Sequence, residues 1–309
     1  MSDSSSGSQV QHVKVEADRA GQRLDNFLMS MLGNVPRGLV YRLVRTGQVR
    51  INGGRAKPMK KLKAGDEVRI PPVRLDPPAK ISLPAGLLEE IRSRIVEQTG
   101  DFVVLDKPAG LAMHGGSGLS YGLMDVIARI DSQWRPVHRL DRPTSGLLVL
   151  ACHHQALVGL QKAFSQREVE KRYFALLCGH LDEELVTVDQ PLKKIRDGSG
   201  QRRIIVADDG QSALSHFRVL ERIGGYSFVE VRIETGRTHQ IRAHAAWMNH
   251  PVAGDELYND QVDPPGLKRL FLHAHYLRLP WPADHVISSP LPQPLADVLD
   301  GLRAANNQS

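Results

Sequence analysis

The chain is predicted to be α+β and to fall into two parts. Beyond residue 91, short alternating or apolar runs bounded by turn residues outnumber the helical periodicities, as in a mixed, largely antiparallel sheet. Ahead of it, residues 21–72 carry two helical periodicities and two strand patterns, enough for a small α/β module. A length of 309 residues supports two domains.

Residues 1–20 begin as a polar, Ser-rich stretch without an apolar core, expected to be a disordered tail and not a secretory signal. Leu24, Phe27, Leu28, Met31 and Leu32 recur at helical spacing. After Pro36, the apolar residues Leu39, Val40, Leu43 and Val44 predict a second helix, with Gly47 at its end. Val49-Arg50-Ile51 alternates as a strand into the Asn52-Gly53-Gly54 turn, and residues 63–70 supply a turn and another strand. Prolines at 71, 72, 77, 78 and 84 mark residues 73–90 as a linker. The large domain, 91–305, opens with the buried-strand pattern Phe102-Val103-Val104-Leu105, which turns out through Lys107-Pro108-Ala109-Gly110. Helices are predicted near 121–130, 157–164, 239–248 and 295–302, and strands near 147–151, 173–177, 204–206, 216–220 and 228–233.

No apolar run approaches the ~18–20 residues that span a bilayer, so no membrane partner is expected. The two cysteines, Cys152 and Cys178, sit among apolar residues without metal-ligand spacing, which predicts buried free thiols in a reducing cytoplasm. Net charge is +6, and its distribution says more than its total. From Arg37 to Arg74 there are 11 Lys/Arg against two acids, Asp66 and Glu67. Such concentrated positive charge is the footprint of a nucleic-acid module. Arg37, Arg42, Arg45, Arg50, Lys57, Lys60 and Lys61 are its candidate contacts.

The most informative string is Val137-His138-Arg139-Leu140-Asp141-Arg142-Pro143-Thr144-Ser145-Gly146, running into the apolar 147–151. It places a carboxylate between two arginines at the mouth of a buried strand. Neighbouring guanidiniums favour the ionised carboxylate, suited to nucleophilic or electrostatic work. In an extended segment Arg139 and Asp141 share a face and Arg142 points elsewhere. A second string, Gly236-Arg237-Thr238-His239-Gln240-Ile241-Arg242-Ala243-His244, leads from a glycine into a helix. Tyr173 begins a strand within Glu170-Lys171-Arg172-Tyr173.

These strings together resemble the RluA-type pseudouridine synthases of the ribosomal large subunit. The family's H-R-L-D-x-x-T-S-G loop, K-x-Y strand, G-R-T-H-Q-I-R-x-H string and K-P-x-G segment are all present in order. The pattern in 21–72 resembles an S4 RNA-binding domain. Pro143 stands where many relatives have an acid. The resemblance implies conversion of uridine to pseudouridine in RNA, with 23S ribosomal RNA as the partner. It implies Asp141 as the nucleophile or base, Arg242 paired with it, and Tyr173 and Ile241 on opposite faces of a flipped uracil. Tyr173 would also take part in proton transfer, and Arg139 would fill the gap left by the displaced nucleotide. Arg237 and His239 belong to the same substrate site. Three routes are open to Asp141: attack at C1′, attack at C6, or removal of the C2′ proton. His250-Pro251-Val252-Ala253-Gly254-Asp255 also matches a family string, and no catalysis is assigned to it.

A metal is not expected. Of the 13 histidines, His239 and His244 lie five apart, on different helix faces, whereas zinc-binding pairs sit at i and i+4. Gly115-Gly116-Ser117-Gly118 lacks the phosphate-loop pattern, so no cofactor is expected either. The expected state is monomeric. Two alternatives stand beside this reading: the same chemistry on transfer RNA, and a non-catalytic S4-type assembly factor.

Overall fold

The computed structural model describes residues 10–32, 35–73, 82–115, 120–198, 200–281 and 284–307. Residues 1–9 of the expected tail, 74–81 of the expected linker, and Gly116, Ser117 and Gly118 lie outside them. The chain divides into two units between Lys80 and Ile81.

The first unit comprises β1 (Gln11–Lys14), α1 (Leu24–Leu32), α2 (Arg37–Arg45), β2 (Arg50–Ile51), β3 (Gly54–Arg55) and β4 (Glu67–Ile70), in a sheet ordered β1-β4-β2-β3. The segment 11–20, expected to be disordered, is a correction. Gln11 to Lys14 pair antiparallel with Ile70 to Glu67, and a short 3-10 turn follows at Ala17–Arg19. Val13 and Val15 supply the apolar anchor. The β2–β3 hairpin turns on Asn52 and Gly53, both with positive φ, as a two-residue loop with matching twist requires. Leu24, Phe27, Leu28, Val40, Leu43, Val44, Val68 and Ile70 form the core. Asp25 is buried under it, held bidentately by Arg23 (3.0 and 2.6 Å) and by the Tyr41 hydroxyl (3.0 Å).

The second unit runs α3 (Leu87–Ser93), β5 (Ile95–Gln98), β6 (Phe102–Lys107), α4 (Leu123–Ile130), β7 (Arg135–Pro136), β8 (Ser145–Ala151), α5 (His154–Ser165), β9 (Glu170–Cys178), β10 (Leu185–Asp189), β11 (Leu192–Arg196), β12 (Arg202–Val206), β13 (Leu214–Ile223), β14 (Tyr226–Ile233), α6 (Gln240–Trp247), β15 (Leu272–Leu279), β16 (His285–Ser288) and α7 (Gln293–Asn306). The linker expected to reach residue 90 therefore ends earlier, in α3. Its Ile91 is fully buried in the core, with Leu87 and Leu88 against it.

The main sheet is ordered β10-β13-β14-β9-β15-β8-β6-β5, with β16 on β15 and β7 on β8. Its pairings are antiparallel except β15 with β8. All seven residues of β8 are buried because both faces are covered. Leu148 and Leu150 enter the large core with α4, whereas Leu147 and Val149 pack with Ala156 and Leu160 of α5. The helix α7 covers Leu176, Phe228 and Phe271 with Leu295, Val298 and Leu299.

The parallel pairing sets up the site. Ala274 of β15 lies opposite Gly146 of β8 on one side and Tyr173 of β9 on the other. Thus β15 brings the end of the Asp141 loop beside the start of the Tyr173 strand. Gly146 has φ +114°, and a Cβ there would stand 2.2 Å from Ala274 O, so only glycine permits the crossing. Both cysteines are free; Cys178 is buried, but Cys152 only half so. Among the described residues, no helix is long and apolar enough to cross a membrane.

Candidate active site

The Asp141 loop is pinned along its length. Val137 N–H donates to Val149 O (3.0 Å), and Val149 N–H donates to His138 Nε2 (3.0 Å). That acceptor role requires a neutral ring. Burial holds His138 there, lowering its pKa to about 3, and the ring stacks on Phe164 at 4.6 Å. Leu140 plugs into the core, Arg139 is exposed at the rim, and Asp141 is left 16% exposed between them. Thr144 N–H donates to Asp141 O (3.2 Å), closing a turn that ends in buried Thr144 and Ser145. Ser145 Oγ meets His273 Nδ1 at 2.9 Å and accepts from Arg269 Nη2 at 2.7 Å.

Arg142 points away from the carboxylate, as its position predicts: its Nε donates to Gly110 O (3.0 Å), and Gly110 N–H donates back to Arg142 O (2.8 Å). Lys107 joins the same lacing. Fully buried, it donates to Pro108 O and Leu111 O at 2.9 Å and to Arg142 O at 3.4 Å. Burial, then the Arg269 charge, brings its pKa down to about 7.

The second string is held by its polar, inward-facing residues. Gln240 Oε1 accepts from Thr235 Oγ1 (2.7 Å) and Arg237 N–H (3.0 Å), while its Nε2 donates to Leu214 O and Ser215 Oγ at 2.9 Å. His244 Nε2 donates to Gln190 O (3.0 Å), which leaves Nδ1 to accept from Ser215 Oγ (2.9 Å). These bonds lock α6 on β13, and they hold His239 at φ +52°, a left-handed conformation that costs a non-glycine residue about 1–3 kcal/mol. Arg237 is exposed and donates to Ser212 O (3.1 Å).

The two strings and β9 line one open cleft. Every predicted catalytic and substrate residue lines it: Arg139, Asp141, Tyr173, Arg237, His239, Ile241 and Arg242. Arg242 Nη1 and His239 Nε2 stand 3.7 and 3.8 Å from Asp141 Oδ2. Arg242 faces Asp141 only through Nη1 and gives its bidentate edge to Asp255: Nε and Nη2 donate to the two Asp255 oxygens, each at 2.6 Å. Both partners are buried, and such a pair is tolerable only when its remaining valences are met. Asp255 Oδ1 also accepts from the N–H groups of Leu257 (3.0 Å) and Tyr258 (3.2 Å), and the guanidinium lies 5.1 Å from the Tyr258 ring centre. Sequence reasoning found the Asp255 string but missed this role. The contact crosses 13 residues and has no local periodicity.

Burial, then the Asp141 charge, raises the Tyr173 hydroxyl above its ordinary pKa. Burial lowers His239 against the pull of Asp141. The cleft thus joins a partly exposed carboxylate, a neutral phenol, a neutral imidazole and an apolar wall from Ile241 and Leu272. Among the described residues, no three His, Cys, Asp or Glu side chains cluster as a metal site. The seven candidate RNA contacts of the first unit, Arg37, Arg42, Arg45, Arg50, Lys57, Lys60 and Lys61, are all exposed; the first three lie on α2 and Arg50 opens β2.

The RNA pseudouridylate synthase family model matches residues 101–247, and the S4 domain model matches 22–68. The chain is 40% identical over 308 residues to a ribosomal large subunit pseudouridine synthase C of Haemophilus ducreyi, covering 96% of each. It is 40% identical over 312 residues to the protein of that name from Vibrio cholerae, covering 96% of this chain and 98% of the other. The solved structure of human RNA pseudouridylate synthase domain containing 4 is 26% identical, with a TM-score of 0.59 over 70% of this chain and 95% of that one. Likeness over nearly the full length, with both domain models in place, makes the chain a member of the RluA family of RNA pseudouridine synthases, an isomerase carrying an N-terminal S4 domain.

Proposed function

We propose that this enzyme isomerises specific uridines of 23S ribosomal RNA, with Asp141 as the reacting carboxylate. The observation that carries the reading is the placement of Asp141, 16% exposed, in a cleft walled by Tyr173 and Ile241 and faced by Arg242. In the reaction N1–C1′ breaks, the detached uracil turns, and C5–C1′ forms; C5 loses its proton and N1 gains one. Asp141 serves the ribose or base as nucleophile or general base. Tyr173 and Ile241 hold the flipped uracil from its two faces, as chemistry on an extruded base requires. Arg139, exposed at the rim, fills the vacated stack. Holding the ring from both faces limits escape of the free base. The S4 unit supplies phosphate contacts, and the enzyme works as a cytoplasmic monomer without a cofactor.

The large-subunit substrate is supported by the names of the relatives that match over nearly the full length. Asp141→Asn tests the chemistry: the variant is expected to fold and bind RNA while forming no pseudouridine, and normal turnover would remove Asp141 from the reaction. Sequencing RNA from a strain lacking the protein, after pseudouridine-specific chemistry, tests the substrate. Lost sites in 23S RNA support it, and losses confined to transfer RNA would replace it.

A further inference from the structure

The two groups that face Asp141 are themselves aimed by one short segment, residues 254–258. Asp255 takes the Nε–Nη2 edge of Arg242, so the guanidinium has one orientation and presents Nη1 to Asp141. Tyr258 does the equivalent for His239. Its hydroxyl oxygen accepts from Ile204 N–H (2.9 Å) and stands 3.0 Å from His239 Nδ1. A half-buried phenol that accepts from a backbone amide satisfies its own proton by donating it, here to Nδ1. The imidazole proton then resides on Nε2, the nitrogen that faces Asp141. The rings of Tyr258 and His239 meet edge to face at 87°.

The segment is anchored to the strands that carry the site. Ala253 N–H donates to Leu176 O (2.8 Å) of β9, and Phe271 N–H donates to Ala253 O (2.9 Å). Gly254 has φ +74°, and a Cβ there would lie 2.2 Å from Arg269 O, so the backbone enters Asp255 along a path closed to other residues.

Resting on the reading of Asp141 as the reacting group, we propose that Asp255 and Tyr258 are positioning residues: Asp255 orients Arg242, Tyr258 orients His239, and both act on the reaction through those side chains. Asp255 has a second effect. With two carboxylates around one guanidinium, Arg242 is kept from closing bidentately on Asp141, which leaves an Asp141 oxygen available to the substrate.

The test uses full-length protein and a protein-free 23S RNA transcript, with single-turnover pseudouridine formation and RNA affinity measured separately. Asp255→Asn is expected to slow conversion about a hundredfold and Tyr258→Phe about tenfold, the scale of misplaced catalytic groups. RNA affinity should stay within about twofold, because neither residue is required to touch RNA. In an Arg242→Lys background Asp255→Asn should add less than about twofold, and so should Tyr258→Phe in His239→Ala, because coupled groups do not add. If Asp255→Asn fails to fold, Asp255→Glu, which keeps the charge paired but shifts it, carries the same expected split of rate from affinity. Wild-type rates in folded variants, losses that multiply in the paired backgrounds, or affinity falling in step with rate would overturn the proposal. A wild-type protein that converts no uridine in the same assay would instead count against the proposed substrate.

Discussion

Tyr173 shows how one residue's surroundings choose among its chemical roles. Its ring belongs to the large core, and burial together with the Asp141 charge keeps its proton on at neutral pH. In its proposed role it is therefore a neutral phenol, able to pass a proton but not to act as a standing phenolate. Tyr173→Phe separates ring from hydroxyl. If proton transfer matters, the variant should retain RNA affinity and lose about 10²-fold or more in single-turnover rate, the usual scale of a general acid–base contribution. An unchanged rate would confine Tyr173 to stacking. Of the four polar residues in His138-Arg139-Leu140-Asp141-Arg142, only Arg139 and Asp141 reach the cleft; His138 and Arg142 spend themselves on backbone groups that hold the loop.

At the scale of elements, the crossing of β8 and β15 joins the Asp141 loop to the Tyr173 strand, and Gly146 permits it. Gly146→Ala adds both a Cβ clash with Ala274 O and strain at positive φ, and should destabilise the domain by roughly 3 kcal/mol. Thermal melts would show a lowered Tm, and activity should fall with it even at temperatures where the variant stays folded, because Asp141 lies five residues away. A melt equal to wild type would mean that β15 can give way. This element also marks what sequence makes legible. The apolar run 147–151 of β8 was readable as a buried strand because both its faces are covered, and α1 and α2 from their spacing, because burial of one face imposes a period. The strands β10 and β11 were missed because they lie at edges with patterns that are mostly exposed, so packing imposes little on them. Prolines hid α3, and the polar Gln11–Lys14 gave no sign that it would extend a sheet. The site divides the same way. Asp141, Tyr173 and the 236–244 string announce themselves locally, whereas Asp255 and Tyr258 gain their meaning only when α6 is folded over them.

At the scale of the whole molecule, the division of labour follows the charge. The first unit exposes Arg37, Arg42, Arg45, Arg50, Lys57, Lys60 and Lys61, and its buried Asp25 is already neutralised by Arg23. The groups proposed to react belong to the second unit, which has hydrophobic cores of its own. Phosphate contacts release counterions, so each adds affinity that falls with salt, at a slope of roughly 0.7 per contact on single strands and 0.9 on duplex DNA. Removing residues 1–80 should therefore weaken binding to 23S RNA and flatten its salt dependence together, since both derive from the same cations. Conversion of a short, unstructured uridine-containing RNA should persist, because Asp141, Tyr173, Arg242 and Asp255 all remain. The measurement is affinity across a salt series beside pseudouridine yield, for intact and shortened protein whose folding is checked by melting. A folded, shortened enzyme with unchanged affinity and slope would make the basic surface of the first unit a solvated face. One with a flattened slope but no activity on the short RNA would mean that the first unit also completes the catalytic site, a role the charge pattern does not require.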